Sequence, residues 1–468
     1  MPQDPSHLSF KQRATYFSSN LALRGILGMA GLVPYRWRIP LIGKLVSALG
    51  PVVGFDRRVR ENLALTCPEL DEPEVARLCR EVGDNAGRMI TELYAGGPFI
   101  TRATAAPITG PGLEALEAAR ASFDRGDLAD MQPSARGRLL LRVAREIRAI
   151  KAEGAEILCR ESGKTLDAAR DEFEEAALYF EYYGGVADKI EGKSIPLGPD
   201  YVDYTIYEPH GVSAQVVPWN FPVSIAARSL APSMAAGNAT IIKSPELDPI
   251  ALALLGKALE RAEVPAGAVS ILNGIGRGLG ARLVASSAVD QIVFTGSVPT
   301  GQAILRAAAD TITPSLMELG GKSAAVVFAD ADLDELMKSL QSGIFFNAGQ
   351  VCSAMARVLV HRSIYDEVVP RAVSLADGLK VGHGMDNPEH TPVISATQRA
   401  RIETLISTAE QDGARIAAGG RRLECEGHFM APTILADVSP NARVAQEEIF
   451  GPVTCITPFE TEAEAIAM

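Results

Sequence analysis

Two short segments contain the residues best suited to chemistry, M-E-L-G-G-K-S (residues 317–323) and F-F-N-A-G-Q-V-C-S-A (residues 345–354). Cys352 follows Gly349 and Gln350, and a glycine lets the backbone approach a bound ligand closely. A cysteine thiolate can attack an electrophilic carbon, and water must later release the adduct. Glu318 supplies a carboxylate that could activate this water. Together the two side chains indicate covalent catalysis through a cysteine adduct.

Both residues also have an ordinary structural interpretation. A lone cysteine is usually a small buried apolar residue, and a lone glutamate before two glycines usually ends a helix or strand. The six cysteines form no C-x-x-C pair and no Cys/His group with zinc spacing, so we expect no metal site. Unpaired cysteines of this kind favour a reducing compartment.

The segments around these residues predict an α/β fold. Beyond Gly211, short apolar runs alternate with helical stretches, at V-S-A-Q-V-V, A-T-I-I-K, V-S-I-L-N and Q-I-V-F-T. This alternation predicts a parallel sheet covered by helices, and dinucleotides bind at the C-terminal edge of such a sheet. The segment F-T-G-S-V-P-T-G places Gly296 and Ser297 between a strand and a helix. Neither this segment nor the glycines at 274, 276, 278 and 280 match a generic phosphate-binding motif.

Three further predicted segments precede this alternation. Apolar residues recur at helical spacing at Leu139, Leu140, Val143, Ile147 and Ile150. A second helix is predicted through residues 168–183, ending at a pair of glycines at 184 and 185. Residues 201–207 alternate as a strand does, with the side chains at 202, 204 and 206 on one side.

The length and charge of the chain limit its possible architecture and partners. A chain of 468 residues should form more than one domain, and 47% hydrophobic with 22% charged residues is typical of a globular protein. The net charge of −12 argues against a nucleic-acid partner. Residues 1–60 carry nine Lys or Arg and two Asp or Glu, a balance of +7, which leaves −19 for the rest.

The basic residues of the first segment alternate with apolar runs. This pattern suits helices on an anionic membrane surface, with Tyr35 and Trp37 at the headgroup level, and it suits a small helical domain equally well. No uncharged run there reaches the ~18 residues of a membrane-spanning helix. Arg24 interrupts the best signal-peptide core, so we expect an uncleaved start.

Six segments, taken in order, resemble the aldehyde dehydrogenase superfamily over about residues 118–468. They are P-W-N-F-P, A-G-N-A-T-I-I-K-S-P-E, F-T-G-S, E-L-G-G-K-S, G-Q-V-C and E-E-I-F-G-P-V. The resemblance implies a Rossmann-like NAD-binding domain over residues 119–317, with a bridging hairpin near 195–211. An α/β catalytic domain over residues 318–468 would follow.

The resemblance also implies a reaction, the oxidation of a small-molecule aldehyde to a carboxylic acid with NAD(P)+. Cys352 would attack the aldehyde, and the side-chain amide of Asn220 with the Cys352 backbone N–H would hold the developing oxyanion. Glu318 would activate the water that hydrolyses the resulting thioester. Asn220 could instead cap a turn.

Cofactor contacts are implied in the same way. Lys243 and Glu246 resemble contacts to the adenosine ribose, Glu448 resembles the contact to the nicotinamide ribose, and Phe450 would pack near the nicotinamide. A carboxylate at Glu246 repels a 2′-phosphate, so we expect NAD, with NADP possible. The alternative for each charge is a solvated surface residue. The full implied set is Trp219, Lys243, Glu246, Gly276, Gly280, Phe294, Thr295, Gly296, Ser297, Gly301, Leu319, Glu448 and Phe450.

Residues 1–118 resemble a different family, the lipid A lauroyl-type acyltransferases, at R-V-R-E-N-L-A-L-T-C-P-E-L and N-A-G-R-M-I-T-E-L. That family's acid–base motif does not follow in context, so this helical piece is expected to be an inactive remnant. Compared with the dehydrogenases, the chain lacks the opening β segment and the last strand. We therefore expect a truncated fusion in which the family's homo-oligomer is doubtful. Its expected place is the cytoplasm, at the inner face of a bacterial membrane, and the alternative function is an inactive membrane-associated fragment.

Overall fold

The computed structural model describes residues 41, 44–48, 56–57, 59–60, 71–82 and 111–468. The chain divides into two compact units, Met1–Thr109 and Gly110–Met468. In the first unit the described residues are helical apart from residue 71, which agrees with the predicted helical segment. Tyr35, Trp37 and the acyltransferase-like residues 85–93 lie outside the described part of the chain. Among the residues that are described, no helix combines the length and apolarity needed to cross a membrane.

The second unit opens with three helices, α1 (Pro111–Asp124), α2 (Pro133–Ser162) and α3 (Leu166–Val186). The five apolar residues predicted to share one helix face are all buried on α2. The predicted end of α3 at its two glycines is wrong, because the helix runs through them to Val186. A Cβ on Gly184 would lie 3.0 Å from the carbonyl oxygen of Gly137, so this glycine serves close helix packing.

A short hairpin follows, formed by β1 (Ser194–Ile195) and β2 (Asp203–Tyr204). The predicted strand over residues 201–207 is therefore mostly wrong, since only two of its residues pair. Among the described residues these strands pair only with each other, and an isolated two-stranded hairpin is marginal in water. The side chains of Tyr201, Val202 and Ile206 remain exposed.

The first large sheet confirms the predicted Rossmann-like alternation. Its five strands are β3 (Val212–Val216), β4 (Ala239–Lys243), β5 (Val269–Leu272), β6 (Gln291–Gly296) and β7 (Ser315–Leu319). They lie in the order β5-β4-β3-β6-β7, and all four pairings are parallel. The connecting helices are α4 (Pro222–Ala236), α5 (Pro249–Arg261), α6 (Ala281–Val284) and α7 (Val298–Thr311). The strand order reverses between β3 and β6, where a nucleotide crevice is expected.

The second large sheet follows directly. Its strands are β8 (Ala324–Val327), β9 (Arg357–His361), β10 (Arg415–Ala418), β11 (Thr433–Ala436) and β12 (Val453–Phe459), in the order β10-β11-β12-β9-β8. Only β10 runs antiparallel to its neighbour. Its helices are α8 (Leu333–Leu340), α9 (Arg362–Gly378), α10 (Ala396–Gln411), α11 (Arg443–Gln446) and α12 (Glu462–Ala467). Since β7 (Ser315–Leu319) belongs to the first sheet, Glu318 lies on that sheet.

Candidate active site

A cavity of about 460 Å³ lies at the C-terminal edge of the first sheet. The parallel pairing brings the residues after β3, β6 and β7 to one edge. The loop that carries Cys352 and the segment after α11 complete the wall. The cavity is lined by Pro218, Trp219, Asn220, Ile225, Arg228, Thr295, Gly296, Ser297, Pro299, Glu318, Leu319, Gly320, Cys352, Gln398, Arg401, Glu448 and Phe450. All three predicted catalytic residues therefore share one cavity.

The loop before Cys352 has an unusual backbone. Asn347, Ala348 and Gly349 take φ values of 49°, 53° and 71°, a left-handed run that costs energy for the two residues with a Cβ. Gln350 holds this turn, because its Nε2 donates to the Asn347 carbonyl oxygen at 3.0 Å and its Oε1 accepts from the Ile394 N–H at 2.9 Å. The turn leaves the Cys352 thiol exposed. A nucleophile on a loop fixed in this way has a defined attack position.

Asn220 lies between β3 and α4 and is 5% exposed. Its Nδ2 donates to the carbonyl oxygen of Gln350 at 3.1 Å, which ties it to the Cys352 loop. The amide carries a second N–H, and this donor is available to an oxyanion at the cavity. Glu318, exposed on β7, lines the same cavity.

Glu448 and Gly320 lie close together in the cavity wall. A Cβ on Gly320 would lie 2.6 Å from the carboxyl carbon of Glu448 and 2.8 Å from its Oε1. Burial raises the pKa of Glu448, and its Oε1 has no partner among the described residues. The Nζ atom of Lys322 is also buried and has no hydrogen-bond partner among the described residues. Buried polar atoms of this kind fit a polar ligand such as the ribose of a dinucleotide.

Two aromatic rings also line the cavity. Trp219 and Phe450 meet edge to face, with ring centroids 5.2 Å apart. Phe450 adopts a φ of 56°, and Gln398 Nε2 donates to its carbonyl oxygen at 2.7 Å. Arg401 Nη2 donates to the carbonyl oxygen of Glu448 at 2.7 Å. Both α10 side chains thus hold the segment that carries Glu448 and Phe450.

Three of the predicted cofactor residues form a separate group beside the cavity. Lys243 is 4% exposed, and its Nζ lies 3.5 Å from Glu246 Oε1. The same Oε1 accepts a short hydrogen bond from the Gly276 N–H. Lysine, carboxylate and backbone donor here form a polar group at the end of β4, as an adenosine ribose would require.

The remaining predicted cofactor residues are positioned differently. Phe294 is 4% exposed and belongs to the core, where a Cβ on Gly296 would lie 2.6 Å from its Cζ. A Cβ on Gly301 would lie 2.7 Å from Leu319 Cδ2, so that glycine serves packing. Gly280 ends the π-helical turn Gly276–Gly280 and does not line the cavity. Thr295, Gly296, Ser297 and Leu319 do line it.

Sequence reasoning missed several residues of the cavity. Arg228 on α4 is half-buried, lines the cavity and has no hydrogen bond or ion pair among the described residues. Gln398 and Arg401 act on backbone carbonyls far away in sequence. An arginine or glutamine within a helix carries no signal of such a contact, so sequence alone could not have identified it.

The second unit of the chain matches a known protein family over nearly its whole length. The sequence model of the Aldehyde dehydrogenase family matches residues 111–468, so the match begins before the predicted residue 118. A betaine aldehyde dehydrogenase of Bacillus subtilis is 38% identical over 363 residues, covering 76% of this chain and 74% of that protein. Human retinal dehydrogenase 2 is 39% identical over 357 residues, covering 75% and 69%. The solved NAD+ complex of an aldehyde dehydrogenase from Bacillus cereus has a TM-score of 0.74 and 37% identity, covering 75% of this chain and 72% of that one.

Proposed function

The chain belongs to the aldehyde dehydrogenase family, and from this premise we propose that Cys352, Glu318 and Asn220 perform its reaction. The protein is an NAD(P)-dependent enzyme that oxidises an aldehyde to a carboxylic acid. The observation that best supports the residue assignment is the cavity that these three side chains share.

Each residue has one task. The Cys352 thiolate attacks the aldehyde carbon, and the carbonyl oxygen becomes an oxyanion. The Asn220 amide and the Cys352 backbone N–H donate to that oxygen. After oxidation the acyl group is a thioester on Cys352. Glu318 removes a proton from water, which attacks the thioester and releases the acid and the thiol.

The cofactor is NAD, which accepts the hydride when it is bound. Lys243 and Glu246 would hold its adenosine ribose, and Glu448 its nicotinamide ribose. Trp219, Phe450 and the turn after β6 would enclose the rest. The unpartnered Oε1 atom of Glu448 supports this assignment.

Replacing the nucleophile tests the proposal. We expect Cys352→Ala to abolish NADH formation with short aliphatic and aromatic aldehydes. Cys425→Ser is the matched control, because Cys425 is also exposed but does not line the cavity. Turnover retained by Cys352→Ala would show that another group is the nucleophile.

Charge at the cavity supports a preference among aldehydes. The cavity contains two carboxylates, Glu318 and Glu448, and two guanidinium groups, Arg228 and Arg401. The Arg228 guanidinium has no hydrogen bond or ion pair among the described residues, so it would pair with a carboxylate on a substrate. We therefore propose that this enzyme favours carboxylate-bearing aldehydes over betaine-type aldehydes. Comparing kcat/KM for succinic semialdehyde, butanal and betaine aldehyde tests this. Equal kcat/KM values for the three aldehydes, unchanged by Arg228→Gln, would refute the proposal.

For residues 1–110, which precede the family match, we propose an acyltransferase-like segment on the cytoplasmic side, whose residues 1–60 touch an anionic membrane. Their balance of +7 supports this. The full chain should cosediment with phosphatidylglycerol vesicles and dissociate in high salt. Equal binding to phosphatidylcholine vesicles would refute the proposal.

Exposed apolar residues at the hairpin, such as Val202, support self-association into a homo-oligomer, which sedimentation analysis would measure.

A further inference from the structure

We propose that Lys164 and Glu172 are positioning residues for Asn220. The proposal rests on the function assigned to Asn220 above and extends it to two side chains that do not touch the cavity. Lys164 is among the large fully buried side chains in the described part of the molecule, at 1% exposure. An ammonium group in such a place requires a specific reason, because its loss of hydration is costly.

The ammonium group of Lys164 contacts the chain at and after Asn220 and the Glu172 carboxylate. Lys164 follows Gly163, which ends α2 in the left-handed conformation. Its Nζ donates to the carbonyl oxygen of Asn220 at 2.8 Å and forms a short ion pair with Glu172. It also lies 4.4 Å from the centroid of the Phe221 ring. The ammonium therefore fixes the backbone of Asn220 and of the residue after it.

Glu172 completes this arrangement from α3. Its Oε1 accepts from the backbone N–H groups of Val223 and Ser224, at 2.8 and 3.3 Å. These donors open α4, only three and four residues after Asn220, and a carboxylate is favourable at a helix N-terminus. The ion pair thus holds the chain at Asn220 and just beyond it.

The side chain of Asn220 depends on this backbone. Its Nδ2 reaches the Gln350 carbonyl oxygen at 3.1 Å, and Asn347 Nδ2 donates to the Asn220 carbonyl oxygen at 3.3 Å. A shift of the Asn220 backbone would move the amide relative to the Cys352 loop. Oxyanion donors work only when they are fixed before the charge develops.

An ion pair that joins α2 directly to α3 provides the contrast. Lys151 on α2 and Glu174 on α3 lie 2.9 Å apart, with side chains 37% and 34% exposed. That pair links the helices without the cost of burial. Linking α2 to α3 therefore does not require Lys164, whereas holding Asn220 does.

The test is a double-mutant cycle between Lys164→Met and Asn220→Ala, read from the pre-steady-state burst of NADH. We expect Lys164→Met to slow the burst about 10- to 100-fold, because one oxyanion donor is worth roughly 10²–10³ in rate and misplacement loses part of that. KM for NAD should stay within twofold. In the Asn220→Ala background Lys164→Met should cost nothing further. Lys151→Met, the matched control, should leave the burst unchanged.

Each outcome decides the question. Equal losses from Lys164→Met in both backgrounds, or no loss in either, would overturn the positioning role while leaving the proposed function intact. A normal burst in Asn220→Ala alone would remove the oxyanion assignment, and the positioning role with it. If Lys164→Met does not fold, the uncharged pair Lys164→Met with Glu172→Gln enters the same cycle. Failure of that pair to fold as well would assign both residues a purely structural role.

Discussion

Replacing Gly320 by alanine places a methyl group against the carboxylate of Glu448. The added Cβ would lie 2.6 Å from the carboxyl carbon and 2.8 Å from Oε1, well inside van der Waals contact. Glu448 must then turn away, because its backbone is held by Arg401 and cannot follow. Its proposed contact with the nicotinamide ribose would be lost, while the fold around it should stay intact.

The size of the effect follows from the bond that is lost. A hydrogen bond to a charged group contributes about 1.5–3 kcal/mol, which corresponds to roughly 10- to 150-fold in kcat/KM for NAD. Steady-state kinetics at saturating aldehyde measure this ratio. The melting temperature should change little, because the displaced carboxylate can turn into the cavity rather than into the core.

The neighbouring glycine supplies a matched control. A Cβ on Gly321 meets no heavy atom within 4 Å, so Gly321→Ala should keep kcat/KM for NAD within twofold. If Gly320 acts through Glu448, Gly320→Ala should cost nothing more in a Glu448→Ala background. Normal kinetics in Gly320→Ala, or an equal loss in Gly321→Ala, would refute the reasoning.

Three further predictions concern charge and backbone. Burial raises the pKa of Asp248 from 3.8 to about 8, so the folded chain binds a proton that the unfolded chain releases. The free energy of unfolding should therefore fall as the pH rises between these two values. In urea titrations, Asp248→Asn should reduce this pH dependence by up to ~1.4 kcal/mol per pH unit. Asp310 is exposed, so Asp310→Asn should leave the pH dependence unchanged. Gly349→Ala, at a φ of 71°, should lower stability by about 1–3 kcal/mol, whereas Gly185→Ala, which meets nothing within 4 Å, should be tolerated. The kcat/KM for NAD should exceed that for NADP, and Glu246→Ala should bring the two values closer together. Comparable kcat/KM values for NAD and NADP in the unmodified enzyme would contradict the role of the Glu246 carboxylate.

The sequence predicted the first sheet well because its strands are short apolar runs bounded by glycine, proline or asparagine. Residues 239–243 form a strand with the predicted bounds. The pattern failed where tertiary contacts decide the outcome. Gly184 and Gly185 looked like a helix end, but the helix continues because α2 packs close to it. Residues 201–207 alternate like a strand, yet only two of them have a pairing partner.

At the site, sequence motifs were sufficient to place Cys352, Glu318 and Asn220 in one cavity. They could not find side chains that act on backbone carbonyls, such as Arg401 on Glu448 and Lys164 on Asn220. Such contacts depend on where distant loops meet, and they leave no spacing pattern in the chain.

The most direct test of the central claim is to trap the acyl group on Cys352. Glu318→Gln should still attack the aldehyde but should not hydrolyse the thioester, so one equivalent of NADH should form per active site and turnover should then stop. Peptide mass spectrometry of the stalled enzyme should find the acyl group on Cys352 and on no other cysteine. An acyl group on a different residue, or steady turnover at the normal rate in Glu318→Gln, would contradict the proposed mechanism.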